Sequence, residues 1–408
     1  MTTNSGPLEV GTGFGAPGSA TVRAVEFSPR TADLTHSPIG GAFALVSQRT
    51  NDRAMLDLSQ AAPSFPPAPV VADRIAAVAH EPDGGRYAPQ AGLPVLRQAF
   101  AVDVSAAYDA TIEVDNVLIT AGCNQAFCLV ASSLASPGDS IVVASPFYFN
   151  HDMWLRVEGI EVRHLLPGPD FIPDPDDLEA LVDANTRALV IVTPGNPTGV
   201  TIPPERIAAL AQEAQRLGLA LIIDETYRTF RNTGTPAHRL FAAPDWGDHV
   251  VSLHSFSKDF AIPGYRVGAI VGGSPLLVEA IKLLDCVAIS APRIGQEAAA
   301  AGLLHAGEWR REQAARIASL EVQFGVAMES SPGGFELTSS GAYFGWVRHP
   351  FPEVETSEVV RRLVLDHDVL VIPGTAFTPT DEQMLRLSFA NLTPAEIAEL
   401  PDRLEECR

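Results

Sequence analysis

Residues 188–224, ALVIVTPGNPTGVTIPPERIAALAQEAQRLGLALIID, contain two apolar runs on either side of a segment with helical spacing. The runs are 188–192 and 219–223, and every residue in them is apolar, as in strands that are covered on both faces. Between the runs, apolar residues recur at helical spacing, at Ile207, Leu210, Ala211, Ala214 and Leu217. A proline pair at 203–204 starts this helix and Gly218 ends it. The strand, helix, strand alternation predicts an α/β domain with a mainly parallel sheet.

The same pattern of short apolar runs continues on both sides of residues 188–224. Further short, mostly apolar runs occur at 117–119, 141–144, 250–253 and 267–271. After residue 291 the pattern changes to one long helical stretch over 296–324, followed by strands at 342–347 and 385–389 with a helix at 357–366 between them. This part predicts a second, smaller α+β domain, which the N-terminal segment helps to complete.

Four segments are therefore expected along the chain: a flexible N-terminal arm at 1–30, an N-terminal part of the small domain at 31–60, a large domain at 61–295, and a small C-terminal domain with a linking helix at 296–408. Inside the arm, residues 13–18 match the pattern G-x-G-x-x-G. We interpret the match as accidental, because a dinucleotide fingerprint follows a strand and opens a helix, and neither is predicted there.

The composition excludes several classes of protein. The chain has 408 residues, 46% hydrophobic and 19% charged, which is typical of a globular protein with a sizeable core. Its 28 basic and 49 acidic residues give a net charge of -21, which disfavours binding to nucleic acid or to anionic membranes. The four cysteines form no C-x-x-C pair, and no apolar run approaches the ~18 residues of a membrane span. We expect a cytoplasmic protein without a metal site.

Polar residues follow the predicted strands at the ends where ligands bind in open α/β sheets. A Gly-containing turn at 120–125 opens a helix and offers backbone N–H groups to an anion, although an ordinary turn has the same sequence features. Asn196 lies in a loop made rigid by two prolines and two glycines. Asp224 and Tyr227 follow the next strand, where the carboxylate either binds a cationic ring nitrogen or caps a helix.

Lysine is almost absent from this protein, with Lys258 and Lys282 as its two copies. Lys258 comes directly after an apolar strand, within His254-Ser255-Phe256-Ser257-Lys258, and Arg266 follows eight residues later. A lysine placed near a buried strand end is a candidate for Schiff-base chemistry, because burial favours its neutral amine. An anion cradle, an amide, a carboxylate, a phenol and this lysine together suit a phosphorylated pyridine aldehyde.

Five motifs extend this set: YAPQAGLP at 87–94, PGNPTG at 194–199, DETY at 224–227, SFSK at 255–258 and RLSFA at 386–390. In this order and spacing the chain resembles the fold-type I, pyridoxal-phosphate-dependent class I/II aminotransferases, the aspartate aminotransferase superfamily. The resemblance runs from about residue 39 to near the C-terminus. It implies a large domain with a mainly parallel seven-stranded sheet, a smaller α+β domain, and pyridoxal 5′-phosphate as cofactor.

The resemblance implies roles for individual residues. Lys258 would form a Schiff base with the cofactor and then carry the proton to and from the substrate Cα. Asp224, supported by His151, would keep the pyridine nitrogen protonated, and Tyr148 would stack on the ring. Tyr227 and Asn196 would hydrogen-bond the cofactor's phenolate oxygen. The phosphate would be held by Ser255, Ser257, Arg266, the backbone amides of Cys123 and Asn124, and Tyr87 from a partner subunit.

Among the residues that the resemblance assigns to substrate binding, Arg386 has the clearest match. Arg386 matches the arginine that binds the α-carboxylate of an amino acid, next to Asn196. Where many relatives have Gly-x-Pro-Asp, this chain has Ala61-Ala62-Pro63-Ser64-Phe65. Dicarboxylate-specific relatives use a second arginine from the neighbouring subunit, and Arg293 is the nearest match to it. We expect a neutral or aromatic substrate rather than aspartate, with walls formed by Phe65, Tyr148 and Phe377.

The predicted activity is an aminotransferase that moves an amino group from an L-α-amino acid to a 2-oxo acid by a ping-pong mechanism through Lys258. The resemblance implies a homodimer with shared active sites. The alternative is a lyase of the same fold, such as a carbon–sulfur β-lyase, or a cyclising enzyme of secondary metabolism, since these use the same Lys, Asp and Arg set. A DNA-binding regulator is disfavoured, because the segment before the fold is short, Gly-rich and not basic.

Overall fold

Within residues 25–32, 34, 37–231 and 234–407, which a computed structural model describes, the chain forms a seven-stranded sheet, a four-stranded sheet and a two-stranded pair. The strands are β1 (Leu56–Asp57), β2 (Val117–Thr120), β3 (Ser140–Ala144), β4 (Glu161–Leu165), β5 (Thr186–Val192), β6 (Ala220–Asp224), β7 (Val250–Ser255), β8 (Gly268–Val271), β9 (Glu336–Gly341), β10 (Phe344–Arg348), β11 (Val369–Leu370), β12 (Ile372–Pro373) and β13 (Met384–Ser388). The α-helices are α1 (Pro29–Ala32), α2 (Pro38–Val46), α3 (Pro69–His80), α4 (Pro94–Tyr108), α5 (Cys123–Leu134), α6 (Phe149–Glu158), α7 (Pro204–Arg216), α8 (Phe256–Asp259), α9 (Ser274–Ala288), α10 (Arg293–His305), α11 (Gly307–Met328), α12 (Thr356–Asp366) and α13 (Pro394–Glu405).

The large sheet has the strand order β2-β8-β7-β6-β5-β3-β4, and β8 alone runs antiparallel to its two neighbours. The predicted α/β class with a mainly parallel seven-stranded sheet is therefore confirmed. At its centre, Val192 of β5 pairs with Asp224 of β6, which pairs with Leu253 of β7. This register brings the carboxyl ends of three strands to one edge, so the polar residues that follow them meet there.

All six apolar runs noted in the sequence are strands of this sheet: β2, β3, β5, β6, β7 and β8. The seventh strand, β4, was not recognised in the sequence. Its segment Glu161–Leu165 reads EVRHL, lies at the sheet edge and buries Leu165 alone. An edge strand that is only partly buried along most of its length lacks the continuous apolar run of a central strand.

The single long helix predicted over 296–324 is wrong, because the chain forms two helices there. At Ala306 the backbone leaves the helical region, with φ -110° and ψ 25°, between α10 and α11. Ala298 and Ala299 of α10 pack into the core of the large sheet, whereas Leu320 and Phe324 of α11 pack into the core around the four-stranded sheet. The two helices therefore pack against different cores, and the helix is interrupted at Ala306, where they meet.

The smaller, predicted α+β domain is built on the antiparallel sheet β12-β13-β10-β9. The N-terminal segment adds β1, in which Leu56 pairs with Val369 of β11, as the sequence led us to expect. The residue boundaries of the predicted domains stay predictions. Residues 1–24 of the predicted arm, with the 13–18 match, lie outside the described residues.

The two sheets meet where two glycines approach each other closely. Gly199, with φ 73°, ends the 193–199 loop after β5, and Gly341 ends β9. A Cβ atom on residue 341 would lie 2.2 Å from the Gly199 carbonyl oxygen. Ser339 also donates to the Thr198 carbonyl at 2.9 Å. The loop that carries Asn196 is therefore pressed directly against the smaller domain.

We predict that Gly341→Ala destabilises the protein by about 1–3 kcal/mol, because backbone atoms cannot move aside as a flexible side chain can. The matched control is Gly325→Ala in α11, where an added Cβ has no neighbour within 4 Å. Alanine at that helical position is expected to stabilise by about 0.5–1 kcal/mol. Denaturant unfolding of both variants measures the difference, and an unchanged stability of Gly341→Ala would contradict the packing described.

Candidate active site

A cavity of about 540 Å³ lies between the carboxyl edge of the large sheet and the smaller domain. It brings together residues that are far apart in the sequence, from Ile39 to Arg386. Eleven of the residues predicted from the sequence line it: Cys123, Asn124, Tyr148, Asn196, Asp224, Tyr227, Ser255, Ser257, Lys258, Arg266 and Arg386. The strand ends therefore place the predicted anion cradle, carboxylate, lysine and arginine around one space.

One end of the cavity is suited to an anion. Gly122, with φ 89°, precedes α5, whose first backbone N–H groups have no partner within the helix. A Cβ atom on residue 122 would lie 2.3 Å from Nη2 of Arg266, so glycine is what leaves room for this guanidinium. The hydroxyl groups of Ser255 and Ser257 line the same space. A helix N-terminus, hydroxyls and an arginine form a donor set that fits a phosphate group.

Asp224 lines the cavity with a buried carboxylate. Its Oδ2 lies 3.2 Å from Nε2 of His151, and its Oδ1 accepts a hydrogen bond from the Thr226 backbone at 2.9 Å. His151 stacks on Phe127 with ring centroids 3.9 Å apart. Burial raises the pKa of Asp224, but the contacts from His151 and Thr226 outweigh it and leave the pKa below its ordinary value. The carboxylate is therefore ionised at neutral pH and can pair with a protonated ring nitrogen.

Lys258 lies at the end of the strand β7, in the short helix α8. Its Nζ donates to the backbone carbonyl of Ala61, which belongs to the loop after β1. Burial, together with the positive charges of Arg266 and Arg386, lowers the pKa of Lys258 to about 8. A much larger fraction of this amine is neutral near pH 7 than for an exposed lysine, and the neutral form is the one that attacks a carbonyl.

Two tyrosines line the cavity as neutral phenols. Burial raises the pKa of Tyr227 above its ordinary value, and burial raises the pKa of Tyr148 to about 12. Both hydroxyls therefore remain protonated and able to donate a hydrogen bond. Burial also raises the pKa of the Cys123 thiol, as does the charge of Asp224, so this thiol is neutral as well.

Arg386 reaches the cavity from the other side, from the strand β13 of the smaller domain. Its side chain is 1% exposed and lies between the rings of Phe344 and Phe377, at 5.2 and 4.9 Å from their centroids. Nη1 donates to Oδ1 of Asn196 at 3.1 Å, Nη2 donates to the Ser59 carbonyl, and Nε has no hydrogen-bond partner. Burial lowers its pKa to about 10. No described carboxylate pairs with this guanidinium, which is consequently available to an anionic ligand.

Four outer residues do not line the cavity of their own chain, and two of them were expected in the site of a partner subunit. Tyr87 is 74% exposed, and its expected role at a partner's phosphate stays a prediction. Arg293 starts α10 and pairs with Glu297 at 3.4 Å, and a role for it in a partner's site is likewise untested. Phe377 packs on Arg386 and Phe65 on Trp309, so neither forms a wall of the cavity as expected. Of the three expected walls, Tyr148 alone lines the space.

Other lining residues were not recognised in the sequence. Ile39 comes from α2, Gln60 from the loop after β1, and Thr226 from the segment after Asp224. Thr226 lies inside the DETY motif, so its place could have been read there. Ile39 and Gln60 carry no local signature, because their position depends on how the N-terminal segment crosses the smaller domain.

A buried polar cluster behind Asp224 was also missed. The Glu225 carboxylate accepts hydrogen bonds from Tyr108 and Ser252, and Nε2 of His238 lies 3.5 Å from it. Ser252 also contacts Nε2 of His254 at 2.9 Å. Burial raises the pKa of Glu225, but His238 and the other contacts lower it to about 2. The cluster joins β7, α4 and the residue that follows Asp224 at the end of β6.

Comparison with known proteins agrees with this geometry. The family model described as "Aminotransferase class I and II" matches residues 53–404, more than half of the chain. The chain belongs to this aminotransferase family. It is 31% identical to an aromatic aminotransferase of Arabidopsis thaliana, over 89% of this chain and 91% of that one, and 29% identical to an aspartate aminotransferase of Pyrococcus horikoshii, over 78% and 82%.

Solved structures share the fold. The aspartate aminotransferase of Thermus thermophilus with maleate superposes with a TM-score of 0.84 at 24% identity, covering 94% of this chain and 100% of that one. The protein is therefore a pyridoxal-phosphate-dependent aminotransferase, and the anion cradle, Asp224 and Lys258 fit the phosphate, ring nitrogen and aldehyde of that cofactor. The names of the relatives do not favour the lyase or cyclase alternative. Among the residues described, no helix is long and apolar enough to span a membrane, and no cluster of metal-ligating side chains occurs.

The pKa of Lys258 can be measured directly, because the chain contains two lysines. In the cofactor-free protein labelled at lysine, NMR titration should show one amine with a pKa near 8 rather than 10.5. The Lys282→Ala variant identifies which signal belongs to Lys258. Arg266→Ala should raise this pKa, because removing a nearby positive charge favours the protonated amine. A Lys258 pKa near 10.5 in both the wild type and Arg266→Ala would show that burial and the nearby arginines do not lower it.

Proposed function

We propose that this aminotransferase takes the amino group from a neutral or aromatic L-α-amino acid and gives it to a 2-oxo acid, in two half-reactions at one site. The observation that carries the proposal is Arg386, a buried guanidinium without a described carboxylate partner in the cavity that Lys258 lines. A buried cation is costly unless it is paired. The α-carboxylate that amino acids and 2-oxo acids have in common supplies the missing partner to both substrates.

Arg386 and Asn196 act together in binding this carboxylate. The hydrogen bond from Nη1 to Asn196 and the bond from Nη2 to Ser59 fix the plane of the guanidinium. A guanidinium held in a fixed plane binds a carboxylate through two parallel hydrogen bonds, which orients the substrate as well as holding it. The substrate Cα is thereby directed to the part of the cavity that Lys258 lines.

Lys258 is the residue that handles the amine and the proton. When bound, pyridoxal phosphate supplies an aldehyde that condenses with amines and a ring that withdraws electrons from the bonds at the substrate Cα. The Nζ of Lys258 would hold this aldehyde in the resting enzyme and, as a free amine once the substrate amine has displaced it, would accept the Cα proton. A pKa of about 8 suits both tasks, because an acid–base group works best when its pKa lies near the working pH.

The remaining residues hold and polarise the cofactor in this proposal. Asp224, backed by His151, pairs with the ring nitrogen and keeps it protonated. Tyr227 and Asn196 would hydrogen-bond the phenolate oxygen, and Tyr148 would stack on the ring. The phosphate is bound by the hydroxyl and guanidinium groups of Ser255, Ser257 and Arg266 and by the backbone amides of Cys123 and Asn124.

The charges around the cavity favour a neutral or aromatic donor. Three cationic side chains line it among the described residues, Lys258, Arg266 and Arg386, and each already has a task. A second substrate carboxylate would therefore meet no further cation of this chain, and a charge left unpaired in a partly buried space is costly. Ile39 and Tyr148 instead offer apolar contact to a side chain. The aromatic aminotransferase among the relatives supports this choice.

A homodimer and a cytoplasmic location complete the proposal. Tyr87 is exposed and does not line the cavity of its own chain, and the resemblance to the family implies that it reaches the phosphate of a partner subunit. The four cysteines are free thiols, which suits a reducing compartment. Sedimentation of the purified protein tests the dimer, and a mixed dimer of Tyr87→Phe and Lys258→Ala subunits tests the sharing of residues.

The Lys258→Ala variant is expected to lose at least about 10³-fold in transamination rate, because it lacks both the amine and the proton carrier. It should still bind the cofactor through the phosphate contacts. The matched control is Lys282→Ala, since Lys282 is exposed on α9 and pairs with Glu279 there. Near-normal turnover of Lys258→Ala would refute the assignment.

The choice of donor is tested by comparing amino acids in steady-state kinetics. We predict that kcat/KM for phenylalanine and leucine exceeds that for aspartate by about tenfold or more, since an unpaired carboxylate in the site costs at least about 1.4 kcal/mol. Equal or higher kcat/KM for aspartate would show that a cation outside the described lining serves the site, and would overturn the neutral-donor proposal.

A further inference from the structure

We propose that Asn391 is a positioning residue for substrate binding, which holds the 57–62 loop so that its carbonyl groups orient Arg386 and Lys258. The inference rests on the proposed role of Arg386 in binding the substrate carboxylate. It concerns a residue that touches neither the cavity nor a reacting atom, since Asn391 is not part of the cavity lining.

The 57–62 loop supplies backbone acceptors to the two reactive cations. The carbonyl of Ser59 accepts a hydrogen bond from Nη2 of Arg386, and the carbonyl of Ala61 accepts one from Nζ of Lys258. Within the loop, the Asp57 carboxylate accepts hydrogen bonds from the Ser59 hydroxyl at 2.6 Å and from its backbone N–H at 2.9 Å. The conformation of this loop therefore sets where two essential side chains point.

Asn391 binds this loop through its whole amide group. Its Nδ2 donates to the Asp57 carbonyl at 3.2 Å and to the Gln60 carbonyl. Its Oδ1 accepts from the Ala62 backbone at 3.2 Å and from the Ser388 hydroxyl at 3.3 Å. A side-chain amide has two N–H donors and two acceptor lone pairs, so all four positions are used.

Asn391 and Arg386 come from the same short segment, the end of β13 and the turn after it. Between them, the backbone of Ser388 donates to the Leu58 carbonyl at 2.8 Å. This one segment therefore contacts the loop at several successive residues. The Ser388 backbone bonds Leu58 and the Arg386 guanidinium bonds Ser59. Asn391 bonds residues on both sides of these two. Because Asn391 holds the flanking residues, it fixes the Ser59 carbonyl that Arg386 needs as a partner.

Losing the Asn391 contacts should affect carboxylate binding more than any other step. Arg386 would keep Asn196 as a partner but lose a fixed position for the Ser59 carbonyl, so its plane would be less well defined. The phosphate and ring contacts come from the strands of the large sheet and do not depend on this loop. Nζ of Lys258 would be held by the cofactor in the loaded enzyme and would no longer depend on the Ala61 carbonyl. The expected signature is therefore a raised KM for the amino acid, with little change in kcat and in cofactor affinity.

The test uses the cofactor-loaded enzyme with Asn391→Asp, which keeps the shape but replaces the NH₂ donor by an oxygen facing two carbonyls. We expect KM for the amino acid to rise about tenfold, the size expected when a hydrogen bond that orients a charged group is lost. Asn391→Ala, which removes the amide without adding a charge, should give the same rise.

The matched control is Asn116→Asp. Asn116 also bridges two backbone segments, accepting from Glu113 at 3.0 Å and donating to the Gly272 carbonyl at 3.2 Å, but it lies away from the cavity. This control should leave KM unchanged. If KM rises equally in the control, or stays at the wild-type value in both folded Asn391 variants, the positioning role is refuted.

A binding measurement separates this proposal from the proposed function. Calorimetric titration with 3-phenylpropionate, a carboxylate without an amino group, should show weaker binding to both Asn391 variants and to Arg386→Ala than to the wild type. If Arg386→Ala binds the probe as well as the wild type does, the proposed function fails. If Arg386→Ala loses binding and the Asn391 variants do not, the positioning role fails while the proposed function stands.

Discussion

The hydrogen bond between the Arg386 guanidinium and the Asn196 side chain joins the two sheets of this protein inside the cavity. Arg386 belongs to the smaller domain, and Asn196 belongs to a loop at the carboxyl edge of the large sheet. The close approach of Gly199 and Gly341 brings that loop near enough for the bond to form. The substrate site therefore exists only where the two domains are packed against each other.

Two cationic side chains, Arg386 and Lys258, are buried at this junction between the domains. Their N–H groups donate hydrogen bonds to neutral acceptors. Backbone carbonyls of one loop accept from Arg386 and Lys258, and no carboxylate of the described chain cancels either charge. Asp224 is treated differently, since His151 and a backbone N–H stabilise its ionised form. The cavity therefore has one anion-binding side, one ionised carboxylate, Asp224, and a lysine whose pKa is lowered to about 8.

The central strands and their polar ends could be predicted from the sequence, because a buried parallel strand appears as an apolar run and its functional residue follows directly. The edge strand β4 could not, since its exposed residues break that run. The break at Ala306 was missed because it depends on two different cores that the two helices cover. The contacts of Ala61 and Ser59 are made by backbone carbonyls, which leave no signature in side-chain types. Tyr87 and Arg293 do not line the cavity of their own chain, so their expected roles depend on a partner subunit and stay predictions.

The most direct test of the account is the stoichiometry of a single half-reaction. The cofactor-loaded protein is mixed with an excess of phenylalanine and no 2-oxo acid, and the released 2-oxo acid and ammonia are both measured. We predict one equivalent of 2-oxo acid per active site and no ammonia, with further release when a second 2-oxo acid is added, because the amino group stays on the enzyme until an acceptor arrives. Release of many equivalents together with ammonia, in the absence of an acceptor, would contradict it.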